Sequence, residues 1–168
     1  MKKIKNVIIL TMISAERKML NRFRNTYQNR NTFYEVYGFD ILITEKMRPY
    51  LIEVNQCPSM NMKTNIDRQI KMPLFSDVMN LIGFTPDVIK KNKTFNNIED
   101  TEKNLARISG MTAENCIHIL TVQDWNVLFE FDEEFNRKGN FERIFPNKEN
   151  VVKYSDIFST KRYNNLLL

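Results

Sequence analysis

Asp40, Glu53 and Asn55 are the residues whose types and spacing best support chemistry in this chain. Asp40 lies within Tyr37-Gly38-Phe39-Asp40-Ile41-Leu42-Ile43, and Glu53 and Asn55 lie within Tyr50-Leu51-Ile52-Glu53-Val54-Asn55. Thr44-Glu45-Lys46-Met47-Arg48-Pro49 separates them, and two β-rich runs around a short polar break read as an antiparallel hairpin. With the loop centred between Lys46 and Met47, Asp40 lies opposite Glu53, and opposed residues project from one face. Asn55, two residues further on, shares that face. Like charges opposed across a ladder destabilise it, and acids inside apolar runs are rare unless paired. A divalent cation removes both objections. Two carboxylates and an amide oxygen are hard ligands of the kind that hold Mg²⁺ together with nucleotide phosphates. The structural alternative places Asp40 exposed at a strand end and pairs Glu53 with Arg48 or Lys46. Asn55 favours the metal, because Asn is a poor strand residue and its place after Leu-Ile-Glu-Val needs a reason.

The elements that must position these groups belong to a chain of 168 residues, 42% hydrophobic and 27% charged, which is globular in composition and large enough for a core. With four glycines, Gly-rich phosphate loops are scarce, and neither GxGxxG nor GxxxxGK occurs. Cys57 and Cys116 are far apart and form no metal-ligand spacing, as expected of free thiols in a reducing compartment. His118 is the only histidine and sits in the apolar run Cys116-Ile117-His118-Ile119-Leu120, where a packed helix residue is expected rather than a base. Residues 1–30 carry eight basic groups and one acid, a net of +7, so the rest of the chain is at −2 against a total of +5. That segment would attract polyanions, or form a solvated helix face. Phe23 and Tyr27 are its only interleaved aromatics, which speaks against nucleic acid.

Ile4, Val7, Ile8, Thr11 and Met12 recur at helical spacing and predict a helix to about Tyr27, preferred over a signal peptide because Ser14-Ala15-Glu16-Arg17 is a poor cleavage site. No stretch is long enough to span a membrane as a helix. A second helix is expected from near Asn65 to Ile82, capped by Gly83 and interrupted by Pro73. Lys71 lies beside its apolar stripe, where it could face the metal site. Residues 85–104 read as a mobile connector. A helical segment resumes at Thr112 as N-cap, runs through Glu130, Asp132, Glu133 and Glu134, and ends at Gly139. Those acids lack a calcium-loop pattern and read as a solvated flank. Asn140–Pro146 forms an aromatic-anchored return, and a final helix covers Ser155 to Leu168.

The hairpin string, with Arg48-Pro49 and Pro58-Ser59, closely resembles the tubulin tyrosine ligase-like family, most nearly its polyglutamylase branch. Lys3-Ile4-Lys5-Asn6-Val7 with Ile13-Ser14-Ala15-Glu16, and Ile66-Asp67 with Ile70-Lys71 and Asn80–Phe84, are similar to the flanking helices of that family. Asp132–Pro146 resembles a C-terminal motif of the branch. The resemblance implies an α+β fold: part of an ATP-grasp C-terminal subdomain over 1–84, a flexible connector over 85–110 and a helical extension over 111–168. It implies that Asp40, Glu53 and Asn55 bind Mg²⁺ against the phosphates of ATP, and that Lys71 and Asn55 lie near the incoming glutamate.

The implied chemistry is ligation: a side-chain carboxylate in an acidic C-terminal tail of tubulin is phosphorylated, and the amine of free glutamate displaces phosphate to give an isopeptide. The implied location is cytoplasmic, on microtubules of the cytoskeleton, cilium or basal body. Cys57 stands where the family usually has serine, and Pro73 interrupts a helix that is usually continuous. The part of the family core that supplies the adenine pocket and the ATP-gripping lysines is not represented, so the expectation is a poor ligase when isolated. The alternative is an inactive truncated module that binds tubulin tails by charge through residues 1–30.

Overall fold

The computed structural model describes residues 1–24, 34–83 and 120–158. Contacts divide the chain into Met1–Ser76 and Asp77–Leu168. The expected connector, His118, Cys116, Tyr163 and the end of the first helix at Tyr27 lie outside the described residues.

The first unit begins with α1, Lys2–Arg24. Ile8, Ile9 and Leu10 are consecutive, so periodicity alone does not choose an inward face. Ile9 is the buried one at 3% exposure, while Leu10 faces outward. Thr11 donates its hydroxyl to Val7 O at 2.7 Å, which lets a polar side chain sit in the helix with its donor satisfied. The helix lies against the second strand of a two-stranded antiparallel sheet. The strands are β1, Gly38–Ile43, and β2, Pro49–Asn55. Phe39, Ile41, Leu51 and Val54 are half-buried, and they share one face by their pairings. The opposite face carries Asp40, Leu42, Tyr50 and Glu53, all exposed.

The loop corrects the expected centre. Ile43 pairs with Pro49, Leu42 with Tyr50 and Ile41 with Leu51, so the hairpin turns about Lys46, not between Lys46 and Met47. Met47 N–H closes a turn onto Thr44 O at 2.8 Å, and Met47 takes φ 55°. Thr44 N–H then donates to Arg48 O at 3.0 Å, and Arg48 N–H to Thr44 Oγ1 at 3.2 Å. A five-residue loop with one left-handed residue is a common hairpin solution. Carried unchanged along the ladder, its register would set Ile52 opposite Asp40. The register instead shifts between Asp40 and Ile41, leaving Ile52 as the extra residue of a β-bulge.

Helix α2, Asn65–Ile82, has the expected bounds and continues through Pro73. Thr64 and Asp67 start it with reciprocal bonds, Asp67 N–H to Thr64 Oγ1 at 3.0 Å and Thr64 N–H to Asp67 Oδ2 at 2.9 Å. Gly83 follows in the left-handed region at φ 66° and donates to Asn80 O, as a C-terminal cap requires.

In the second unit, α3 spans Val122–Arg137. The expected helix does not run unbroken from Thr112 through Asn136, since residues 120 and 121 are not helical. Thr121 and Asp124 form a capping box there that starts a new helix. Asp132, Glu133 and Glu134 are exposed, as expected of a solvated flank. Gly139, at φ 56°, follows the cap residue Lys138.

The return after α3 is held by Arg143, which stacks 3.5 Å from the Phe131 ring centroid and donates Nη2–H to Phe131 O at 2.7 Å. The Phe145–Pro146 peptide is cis, and the Phe145 ring lies 5.8 Å from that of Phe158. The expected final helix does not begin at Ser155, and residues 159–168 of its range lie outside the described residues. α4 is Lys148–Tyr154, followed by a 3₁₀ turn over Ser155–Ile157. Asn147 caps it by accepting from Asn150 N–H at 2.9 Å, a start signal that an Asn directly after Pro146 could have supplied. Tyr154 is buried at 3% exposure, in keeping with a packing role.

Candidate functional site: a carboxylate pair on the open face of a hairpin

Asp40 is directly opposite Glu53, and Gly38 is directly opposite Asn55. The bulge at Ile52 makes this possible, because a one-residue slip would turn Glu53 and Asn55 to the other face. Asp40 and Glu53 are solvent-exposed and Asn55 is half-buried. Gly38 has a role that strand propensity gives no hint of. A Cβ there would meet Pro58 Cβ at 3.1 Å and Asn55 Cβ at 3.6 Å, so the missing side chain lets Pro58 and Asn55 close on the strand.

Asn55 Nδ2 donates to Glu53 Oε1 at 3.2 Å. Its Oδ1 accepts no hydrogen bond among the described residues and remains a free neutral acceptor beside the two acids. Asp40 is the third of six strand residues, so its exposure is not that of a strand end. Neither Asp40 nor Glu53 is in an ion pair among the described residues, so Arg48 and Lys46 do not neutralise them. Two like charges therefore face each other across a ladder with no cation among the described residues paired to offset them. No three side chains drawn from His, Cys, Asp and Glu converge among the described residues. The donor set is thus two carboxylates and an amide oxygen. Such an open set fits a hard divalent cation that completes its shell with water and phosphate oxygens.

Lys71 is not bonded to these three. Its Nζ donates to Asn61 O at 2.6 Å and pairs with Asp67 Oδ1 at 3.3 Å. Two of its three N–H donors are engaged among the described residues, and one is left. Asp67 went unassigned in the sequence, although its place three residues after Thr64 marks a capping box. The Thr64 hydroxyl and N–H, followed by Lys71, hold its carboxyl below the usual carboxylate range. A lowered folded-state pKa gives stability that is present above the ordinary carboxylate pKa and lost as pH falls through the lowered one. Urea unfolding between pH 5 and pH 2 should therefore show a smaller acid loss for Asp67→Asn than for the unsubstituted chain. Equal losses would mean that the carboxyl titrates normally.

Residues 1–94 match the family described as the tubulin-tyrosine ligase family. Tubulin monoglutamylase TTLL4 of Mus musculus is 29% identical over 197 residues, covering 98% of this chain and 16% of its own length. Tubulin polyglutamylase ttll-4 of Caenorhabditis briggsae is 30% identical over 184 residues, covering 99% of this chain and 31% of its own length. Tubulin polyglutamylase TTLL5 of Homo sapiens is 27% identical over 193 residues, covering 98% of this chain and 15% of its own length. The chain therefore spans between 15% and 31% of the length of these relatives.

Proposed function

The chain belongs to the tubulin-tyrosine ligase family, and on that premise we propose that its hairpin is the metal-holding edge of an ATP-dependent ligase that adds glutamate to tubulin. The observation that carries this is the direct opposition of Asp40 and Glu53 on an exposed face, with neither in an ion pair among the described residues. The relatives' names supply the reaction and the acceptor, since they are tubulin mono- and polyglutamylases. In this reading the hairpin with α1 and α2 belongs to the C-terminal subdomain of an ATP-grasp fold and α3 and α4 to a helical extension, working on microtubules in the cytoplasm or cilium.

Asp40, Glu53 and the free Oδ1 of Asn55 would hold Mg²⁺. When bound, that ion offsets charge between ATP phosphates and an anionic acceptor, which water alone does poorly. The two acids attract the cation, and the amide adds an oxygen without a third negative charge. In the balanced reaction a glutamate side-chain carboxylate of the tubulin tail takes the terminal phosphoryl group of ATP, releasing ADP. The amine of free glutamate then forms the amide bond as phosphate leaves. Lys71, with one N–H unengaged, is the group of this chain suited to the carboxylate of that incoming glutamate.

Radiolabelled glutamate offered with tubulin, ATP and Mg²⁺ tests the proposal. Incorporation that requires all three supports it, and incorporation that continues after chelation of Mg²⁺ sinks it. A second reading, capture of acidic tubulin tails by charge alone, is favoured by the exposure of Lys2, Lys3, Arg17 and Lys18 on α1. It predicts tubulin binding that needs no nucleotide and falls steeply with salt. Binding unchanged at high salt would remove it.

A further inference from the structure

We propose that Asp67 is a positioning residue, clamping Lys71 so that the one free N–H of its ammonium is held ready for a small carboxylate ligand. The inference rests on Lys71 contacting the incoming glutamate and adds the residue that prepares it. A lysine is ordinarily a hydrated point charge on a flexible stem, and a ligand that binds it must also order it. Here that ordering precedes the ligand. The ammonium is gripped from one side by Asn61 O at 2.6 Å, in the loop after β2, and from the other by Asp67 Oδ1 at 3.3 Å, one turn back on α2. Lys71 is 23% exposed and Asp67 31%, so the pair is partly screened from water and still open to a ligand.

Asp67 is itself anchored. Its second oxygen, Oδ2, accepts from Thr64 N–H at 2.9 Å and from the Thr64 hydroxyl at 2.8 Å. These bonds place the carboxylate in the first turn of α2, where the unpaired N–H groups of the helix favour negative charge. They also answer an objection, that Asp67 would cancel the charge of Lys71 and repel a second carboxylate. Part of the acid's charge is taken up by Thr64 and the helix start, so Lys71 keeps an attractive free side. The lowered pKa of Asp67 agrees, since the acid stays ionised wherever the protein would work.

Equilibrium dialysis of radiolabelled L-glutamate, with Mg²⁺ and a non-hydrolysable ATP analogue, tests this on the full chain. Asp67→Asn retains an oxygen for the Thr64 N–H but loses the ion pair, and it should raise the glutamate Kd about five-fold. Asp67→Glu keeps both charge and capping box, and it should restore affinity towards that of the unsubstituted chain. Thr64→Ala keeps the backbone N–H bond to Asp67 but loses the hydroxyl, so it should lower Tm while raising the glutamate Kd by clearly less than Asp67→Asn does, which separates positioning from helix stability. Equal or tighter binding by Asp67→Asn overturns the inference while leaving the ligase proposal standing. A rise in Kd with Thr64→Ala as large as with Asp67→Asn also overturns it. Absence of glutamate binding by the unsubstituted chain overturns both the role of Lys71 and the clamp. The ligase proposal is judged separately, by incorporation into tubulin.

Discussion

Asp40→Asn or Glu53→Gln should abolish the stabilisation of the chain by Mg²⁺·ATP and reduce glutamate incorporation about a hundred-fold or more. Both substitutions keep side-chain shape and remove one of two charges that face each other in the ladder. A ligand at a hundred times its Kd stabilises a folded protein by about 2.7 kcal/mol, and a site that has lost one of its two carboxylates should lose most of that. The metal-free proteins should respond in the opposite sense. Relief of repulsion between two exposed acids a few ångströms apart is worth up to about 1 kcal/mol in water, so each variant should be slightly more stable than the parent without metal. That crossing of effects separates a cation site from an ordinary surface pair. Thermal unfolding with and without Mg²⁺·ATP reads it directly. A variant that keeps the full metal-dependent shift would remove Asp40 and Glu53 from the site.

Gly139→Ala should destabilise the second unit by about 3 kcal/mol, the sum of a left-handed backbone penalty and lost bonds to a charged group. Gly139 has φ 56°, and a Cβ there would collide with the Asp77 carboxylate. That carboxylate cannot simply move, because Asp77 Oδ2 accepts from Asn140 N–H at 3.0 Å and from Asn140 Nδ2 at 2.9 Å. Gly83 lies in the same backbone region, but an added Cβ would meet the guanidinium end of Arg137, which is flexible and can yield. Gly83→Ala should therefore cost less. Urea denaturation of the two variants checks the order, and equal losses would show that Asp77 carries no such constraint.

Local chemistry made several elements legible. The bounds of α2 followed from the apolar recurrence and Gly83, and the Thr64–Asp67 capping box is a further local signal of the same start. The end of α3 at Arg137, two residues before Gly139, followed in the same way. The start of α4 lay in Asn147 directly after Pro146, a local cap signal of the same kind. The inward side of α1 was not legible, because Ile8, Ile9 and Leu10 are equally apolar and only packing makes Ile9 the buried one. Lys71 was legible as a cation beside the apolar stripe. Its engagement with Asn61 O was not, since a loop carbonyl ten residues away leaves no mark on side-chain pattern.

The amino-acid sequence by itself determined which groups this protein can offer: two acids and an amide inside β-forming runs, a lysine on the following helix, and a family likeness that extends through them. The tertiary structure alone decided that the two acids and the amide share one face. A five-residue loop turning about Lys46 would by itself have sent Glu53 and Asn55 to the covered face, and the bulge at Ile52 returns them to the side of Asp40. Residue types are local properties, whereas strand register is a sum over every residue between two partners, and one extra residue inverts it.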